Sequence, residues 1–266
     1  MDSTCKHAIT WVVCKAVATI AIGDIHGHLA ALEDLLAKVQ PTLSRSDVLV
    51  FLGDYIDKGP DVRGCLDRII AMREEAPCPV VGLLGNHDQA MLRTWKDPTS
   101  HSWIFIGGFE TIQSYSSEAA AAIEAEFEAA GPRIVLDKVR VGYERFFQEM
   151  PAAHLAFFEG LKLYSETEYV VCAHAGVDLM GGPNHLQDPE VFTWGTGGFP
   201  DEYRGGQSVV YGHWENSFED ETGWPWPRVL ENRTFGIDTI SKGVLTAMRF
   251  PDGKIFQSEK HAARFR

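Results

Sequence analysis

Apolar residues in this chain fall in short uninterrupted runs, and each run stops at a small residue, usually glycine, and a polar side chain. Ala18 to Ile22 runs into Gly23-Asp24-Ile25-His26-Gly27, Val48 to Leu52 into Gly53-Asp54-Tyr55-Ile56-Asp57-Lys58-Gly59, and Val80 to Leu84 into Gly85-Asn86-His87-Asp88. Tyr169 to Cys172 runs into Ala173-His174-Ala175-Gly176, and Val209 to Tyr211 into Gly212-His213. Runs of this length and uniformity predict buried strands emptying into loops. Between the first three runs the spacing changes to that of a helix. Leu29, Leu32, Leu35, Leu36 and Val39 share one face of a helix expected from about His28 to Val39, which Pro41 ends. Val62, Leu66, Ile69, Ile70 and Arg73 line one side of a second helix, from about Val62 to Glu75. A third is expected from Asp88 to about Trp95. The order β-α-β-α-β predicts an α/β fold with parallel strands and right-handed crossovers.

Residues 97–160 read differently. Asp97-Pro98-Thr99 breaks the alternation, and Trp103-Ile104-Phe105-Ile106-Gly107-Gly108 is aromatic and glycine-rich. Ser117 followed by Glu118 to Ala129 is a helix rich in Ala and Glu, closed by Gly131-Pro132. Further helices are expected over about Gly142 to Gln148 and from Pro151 to Leu161. The chain is therefore one domain, 1–266, with a mainly helical insertion at about 97–160, whose glutamates are a solvated helix face. Residues 181–206 read as a long loop and Phe218 to Val229 as an exposed aromatic loop. Phe235 to Asp238, Gly243 to Arg249 and Lys254 to Gln257 are closing strands, the last two joined at Asp252-Gly253. Ala8 to Ile22 is read as an N-terminal strand or strands rather than a leader, because Lys15 interrupts it.

Composition narrows the function classes. A net charge of −13 disfavours a nucleic-acid groove and repels anions at long range, so phosphate binding must rest on local cations. No apolar run is long enough to span a membrane. The five cysteines are odd in number and form no C-x-x-C pair, which fits buried free thiols in a reducing compartment and hence the cytoplasm.

Asp54 and Asp57, placed at the end of a buried strand, need a partner or a metal. Strand ends are where ligands of α/β sheets sit. Oxygen and imidazole donors without sulfur suit hard or borderline divalent cations such as manganese, iron or zinc.

Taken together and in order, GDIHG (23–27), GDYIDKG (53–59), GNHD (85–88), HAG (174–176) and GH (212–213) resemble the phosphoprotein phosphatase family of dinuclear, calcineurin-like metallophosphoesterases. The chain looks most like the bacterial branch, which holds Ser/Thr protein phosphatases and symmetrical diadenosine tetraphosphate hydrolases. The resemblance spans about residues 18–250. It implies two mixed β-sheets face to face, flanked by helices in α/β/β/α layers. It also implies two divalent cations, manganese first, with iron, zinc or nickel compatible. Asp24 and His26 match the ligands of one cation, Asp54 the bridging carboxylate, and Asn86, His174 and His213 the ligands of the other. His87 matches the general acid and Asp57 the carboxylate that orients it. Lys58 and Asn86 match phosphate-binding positions.

The chain departs from the family at three points. Lys58 stands where the family usually has Arg, keeping charge and losing the bidentate fork. No arginine follows Trp194 before Arg204, so Arg63 and Arg204 are the substitutes considered for the second phosphate-binding arginine. Gly212-His213-Trp214-Glu215 lacks the second histidine of G-H-x-H, which sets it apart from phosphodiesterase and nuclease branches. The implied activity is Ser/Thr phosphatase-like phosphomonoester hydrolysis. The alternatives are dinucleoside polyphosphate hydrolysis and a phosphate-binding pseudoenzyme. Partners are a phosphorylated protein or a dinucleotide, and the oligomeric state is left open. His28, His101, His154 and His185 read as structural histidines, and Trp194, Trp214, Trp224 and Trp226 as packing residues, with adenine stacking as the alternative.

Overall fold

The computed structural model describes residues 17–262 apart from 183 and 216. The strand structure expected over residues 8–16 lies outside the described residues, as do Cys5 and Cys14. The first half alternates as its periodicity requires: β1 (Thr19–Ile22), α1 (Leu29–Val39), β2 (Val48–Phe51), α2 (Val62–Glu75), β3 (Val80–Gly82) and α3 (Asn86–Lys96). Then come α4 (Ser102–Phe105), α5 (Gly108–Tyr115), α6 (Ser117–Ala130), α7 (Arg133–Leu136), α8 (Glu144–Glu149) and α9 (Ala152–Glu159). The chain closes with β4 (Tyr164–Glu166), β5 (Val171–Ala173), α10 (Pro189–Trp194), β6 (Val209–Tyr211), β7 (Phe218–Glu219), β8 (Pro225–Trp226), β9 (Arg228–Val229), β10 (Thr234–Gly236), β11 (Thr246–Phe250) and β12 (Lys254–Gln257).

Two five-stranded sheets result, ordered β12-β11-β1-β2-β3 and β4-β5-β6-β10-β9. Both are mixed. β1, β2 and β3 run parallel, with β11 antiparallel to β1, and β5, β6 and β10 run parallel, with β4 and β9 antiparallel at the edges. The uniform apolarity of the runs is explained by what covers each face. Successive strand side chains point to opposite faces. Ile20, Ile22, Leu49 and Phe51 face α1 and α2, in one cluster with Leu32, Leu36, Leu66 and Ile69. The intervening Ala21, Val50 and Leu52 face the second sheet and pack with Cys172, Val210 and Ile237. On that sheet Val171, Ala173, Val209 and Tyr211 face outward onto Phe192, Phe199 and Tyr203. Helices, sheet, sheet and α10 form the expected layers.

Helix ends follow local chemistry. Asp61 caps α2 by accepting the Gly64 N–H at 2.8 Å, and Ser116 caps α6 through the Ala119 N–H at 3.2 Å. α10 falls within the stretch expected to be loop. Its signal was present: Asp188 at the N-cap accepts the Glu190 N–H, with Pro189 in the first turn. The stretch around Trp103 to Gly108 is helical as well, as α4 and the start of α5, split by Gly107 at φ 118°. The Trp224 to Trp226 segment is half-buried rather than exposed. β7 pairs with β8, and the two indole N–H groups donate to Gln257 Oε1 and Asp220 Oδ2. Cys65, Cys78 and Cys172 are buried free thiols. No helix among the described residues is long and apolar enough to cross a membrane.

Candidate active site

The carboxyl ends of β1, β2, β5 and β6 and the first turn of α3 deliver their polar residues to one buried cluster. Asp54 stands at its centre. Its Oδ2 lies 3.5 Å from His26 Nε2, and its Oδ1 lies 3.5 Å from His174 Nε2. Asn86 Oδ1 lies 2.9 Å from both His174 Nε2 and His213 Nδ1. Asp24 closes the far side, with Oδ1 3.9 Å from His174 Nδ1. Asn86 and His87 are helical, in the first turn of α3, rather than in the loop before it.

Backbone carbonyls set the tautomers. His26 Nδ1 bonds to Ile56 O at 2.8 Å and His174 Nδ1 to Leu52 O at 3.0 Å. A carbonyl accepts only, so each Nδ1 carries the proton and each Nε2 turns a lone pair inward. Burial lowers His26 and His174 below the ordinary imidazole range and takes His213 down to about 3, so all three are neutral. At 2.9 Å the lone pair of His174 Nε2 therefore faces the Asn86 oxygen, an acceptor facing an acceptor. Asp24 Oδ1 is buried with no hydrogen-bond partner. Burial, with Asp238 and Asp54 beside it, pushes the Asp24 carboxyl well above its usual range. Converging lone pairs and crowded carboxylates of this kind are what cations resolve. Two overlapping triads, His26–Asp54–His87 and Asp54–His174–His213, each have ligand atoms within 4.8 Å of one another and could hold a divalent ion. They share Asp54.

The backbone here is strained. His26, Asp54, Asp57, Lys58, His213 and Glu215 all have positive φ, between 45° and 69°, and Arg233 is the one further non-glycine case among the described residues. Such dihedrals cost roughly 1–3 kcal/mol each and persist where surrounding structure enforces them. Two glycines allow the approach. A Cβ on Gly212 would sit 1.9 Å from Asp24 Oδ1, and one on Gly85 would sit 2.0 Å from Asp54 Oδ1.

His87 Nδ1 bonds to Asp57 Oδ2 at 2.7 Å. Burial alone would lower His87, but the Asp54 carboxylate and the Asp57 bond outweigh it and hold the imidazole above its ordinary value. Asp57 is held from the helical side. Trp103 Nε1 donates to Asp57 Oδ1 at 3.0 Å, Thr111 Oγ1 donates to the same oxygen at 2.5 Å, and the Asp57 N–H donates back to Thr111 Oγ1 at 2.9 Å. Asp88, at the third position of α3, accepts the N–H groups of Asp54, Tyr55 and Gly85 at 2.9, 3.3 and 3.0 Å. Trp103, Thr111 and Asp88 were not singled out from the sequence. Asp88 carried a signal as an acidic residue in a helix first turn, whereas Trp103 and Thr111 carried none.

Of the cations considered, only Lys58 reaches the cluster, with Nζ 3.1 Å from His26 Nε2 and 3.7 Å from Glu215 Oε1. Arg204 donates to the carbonyls of Asp201 and Tyr203, and Arg63 lies over the Tyr115 ring. Neither guanidinium contacts the cluster in the described structure, because α2 and the residue 201–204 turn aim them elsewhere. Beside Lys58 a cavity of about 550 Å³ is lined by Phe105, Ile106, Gly107, Glu215, Ser241 and Lys242. Trp194 and Trp214 donate to Gln89 and Ala175 as packing residues. The aromatic that opens into the cavity is Phe105, 59% exposed. His101 and His154 are satisfied by Tyr143 with Val139, and by Tyr115 with Asp67.

A model of the calcineurin-like phosphoesterase family matches residues 18–216. The chain is similar to a serine/threonine-protein phosphatase 1 of Salmonella typhimurium, 35% identical over 106 residues, covering 40% of this chain and 45% of that one. It thus spans less than half the length of that relative. It is also similar to the asymmetrical bis(5'-nucleosyl)-tetraphosphatase PrpE of Oceanobacillus iheyensis, 27% identical over 259 residues, covering 87% of this chain and 88% of that one. A crystal structure described as a candidate diadenosine tetraphosphatase shares the fold, with a TM-score of 0.59 at 23% identity over 93% of this chain and 96% of that one.

Proposed function

The chain belongs to the calcineurin-like phosphoesterase family, and from that premise we propose that it hydrolyses phosphate ester or anhydride bonds with two divalent cations. The observation that carries this reading is Asp54, which belongs to both triads and whose two oxygens face different imidazoles, Oδ2 at 3.5 Å from His26 Nε2 and Oδ1 at 3.5 Å from His174 Nε2. Asp24, His26 and Asp54 hold one cation, and Asp54, Asn86, His174 and His213 the other. Asp24 is taken as a ligand in preference to His87, because Asp24 Oδ1 has no partner whereas His87 is engaged by Asp57. Manganese fits this oxygen and imidazole set. When bound, the cations supply an acidified water and neutralise charge on the phosphoryl oxygens.

The remaining work falls to the chain. His87, whose imidazole Asp57 holds through Nδ1 and whose charged form its carboxylate neighbours favour, donates from Nε2 to the leaving oxygen. Trp103 and Thr111 in turn hold Asp57. General acids of this kind contribute about 10²–10⁴-fold. Lys58 places a point charge at the phosphate, and the Asn86 amide is the second phosphate-binding group of this reading. With Arg63 and Arg204 engaged away from the cluster, neither gives the phosphate a bidentate clamp in the described structure.

Each substrate class has one observation in its favour. The His87–Asp57 pair serves poor leaving groups, as in phosphoserine or phosphothreonine. A relative that aligns along most of this chain is a tetraphosphatase, and Phe105 and Lys242 beside Lys58 offer an aromatic face and a charge to a nucleotide. A reducing compartment such as the cytoplasm is supported by the three buried thiols.

The test is a paired assay on metal-stripped protein reloaded with manganese. It follows phosphate release from a phosphopeptide and nucleotide release from diadenosine tetraphosphate. Turnover of at least one, abolished in Asp54→Asn, is expected. Turnover of neither with metal bound would favour a phosphate-binding protein.

A further inference from the structure

The loop 213–215 grips two carboxylates in the same way. The His213 N–H donates to Asp24 Oδ2 at 3.0 Å, and the Glu215 N–H donates to Asp238 Oδ2 at 3.0 Å. Each carboxylate keeps a second oxygen, Asp24 Oδ1 and Asp238 Oδ1, that is buried with no hydrogen-bond partner. Both residues are shut away from water, at 1% and 2% exposure. They sit on adjoining loops: Asp24 follows β1, Asp238 follows β10, and a Cβ on Gly23 would lie 2.5 Å from Ile237 O. Asp238 is also close enough to Asp24 to disfavour its charged form, alongside burial.

A buried carboxylate oxygen without a donor is costly, and two buried carboxylates that repel one another more so, unless a cation lies near them. Thr239 and the Thr246 hydroxyl, bonded at 2.7 Å, fix the backbone just beyond Asp238, so the side chain is placed rather than left to drift. Lys58 is near enough to both carboxylates to favour their charged forms, but it bonds to His26 and pairs with Glu215, and both Oδ1 atoms still lack a donor.

The geometry points to Asp238 as a further holder of the first cation, the one assigned to Asp24, His26 and Asp54, acting through Oδ1 directly or through one water. This rests on the two-cation reading above. Asp238 then does for the cation what Asp24 does, from the second sheet, and the 213–215 loop aligns both carboxylates with one pair of backbone N–H groups. The two sheets are thereby tied together at the cation as well as through their apolar faces.

Asp238→Asn tests this. The amide oxygen still accepts the Glu215 N–H, so the loop keeps its anchor while the charge is lost. Manganese affinity and stoichiometry are measured by chelator competition and metal analysis, with thermal unfolding of stripped and loaded protein alongside. Wild type is expected to hold two manganese ions, with the coupled-pair electron paramagnetic resonance signal of a dinuclear site. In Asp238→Asn one of the two should weaken by about 10–100-fold, the size of effect seen when groups supporting a metal site are removed. The pair signal should give way to a single-ion signal, and the stripped protein should unfold no lower than stripped wild type, since an unpartnered buried carboxylate is removed. Equal affinity for both ions in the variant overturns the inference while leaving the two-cation reading intact. Failure of wild type to bind manganese, zinc or iron overturns both. Should the variant not fold, the anomalous map of manganese-loaded wild type decides. A peak about 2.0–2.2 Å from Asp238 Oδ1, or one water away, supports the inference, and a peak remote from Asp238 contradicts it.

Discussion

Two regions meet at Asp57 and reach it by different means. The loop after β2 brings it in left-handed backbone, at φ 69°, in sequence with Asp54 at φ 50° and Lys58 at φ 61°. The helices α4 and α5 bring Trp103 and Thr111 to the same carboxylate with ordinary helical backbone and side-chain bonds. The strand-end loops place charge by strain and glycine. The helical stretch places support by packing, with Trp103 wholly buried among Tyr143, Phe146 and Phe147. Strain enforced by neighbouring loops leaves little tolerance at the cluster, whereas the packed support can lose a bond and keep its shape.

That contrast sets an order of effects. Asp54→Asn, which removes the carboxylate common to both triads, should lower turnover by on the order of 10³-fold or more, checked with p-nitrophenyl phosphate at saturating manganese. Gly212→Ala should come next: its Cβ would meet Asp24 Oδ1 at 1.9 Å, so both manganese retention and turnover should fall, and a variant with wild-type metal content would weaken the case for loops of low tolerance. His87→Asn should cost about 10²–10⁴-fold on a phosphomonoester. It should cost much less on a dinucleoside tetraphosphate, whose leaving phosphate needs little protonation, and equal losses would argue that His87 acts otherwise.

Trp103→Phe removes one hydrogen bond to a carboxylate, worth about 1.5–3 kcal/mol. It should reduce phosphomonoester turnover about tenfold with metal content unchanged, which tells a positioning role from a ligand role. Smallest of all, Arg204→Ala should leave turnover within about twofold, as for a surface change remote from the site. A large loss would mean that the guanidinium swings inward from the Asp201 and Tyr203 carbonyls.

The same contrast explains what was legible in the sequence. Loop residues announce themselves, because a ligand position needs a particular side chain beside a glycine at the end of an apolar run. Asp24, His26, Asp54, Asn86, His174 and His213 were readable as polar residues where apolar runs end, their parts as ligands came only with the family resemblance, and the structure brings them together. The two-sheet architecture was readable through the family resemblance, and the uniform runs are explained by apolar cover on both faces of each strand. Trp103 and Thr111 were not readable, since a tryptophan in an aromatic stretch and a threonine within a helix look the same whether or not they reach a buried carboxylate. Asp238 ends a closing strand without a flanking glycine, so its nearness to Asp24 depends on how the two sheets meet. Arg63 and Arg204 carry the charge that the family's second arginine supplies, but the direction in which a side chain leaves a helix or a turn is not written in spacing.

The most direct test of the two-cation account is a titration of metal-stripped protein with manganese, following bound ions per chain and p-nitrophenyl phosphate hydrolysis together. The account predicts two ions per chain, hydrolysis that needs both, and loss of binding and hydrolysis in Asp54→Asn. Hydrolysis that persists in the stripped protein, or a chain saturated by one ion at full activity, would contradict it.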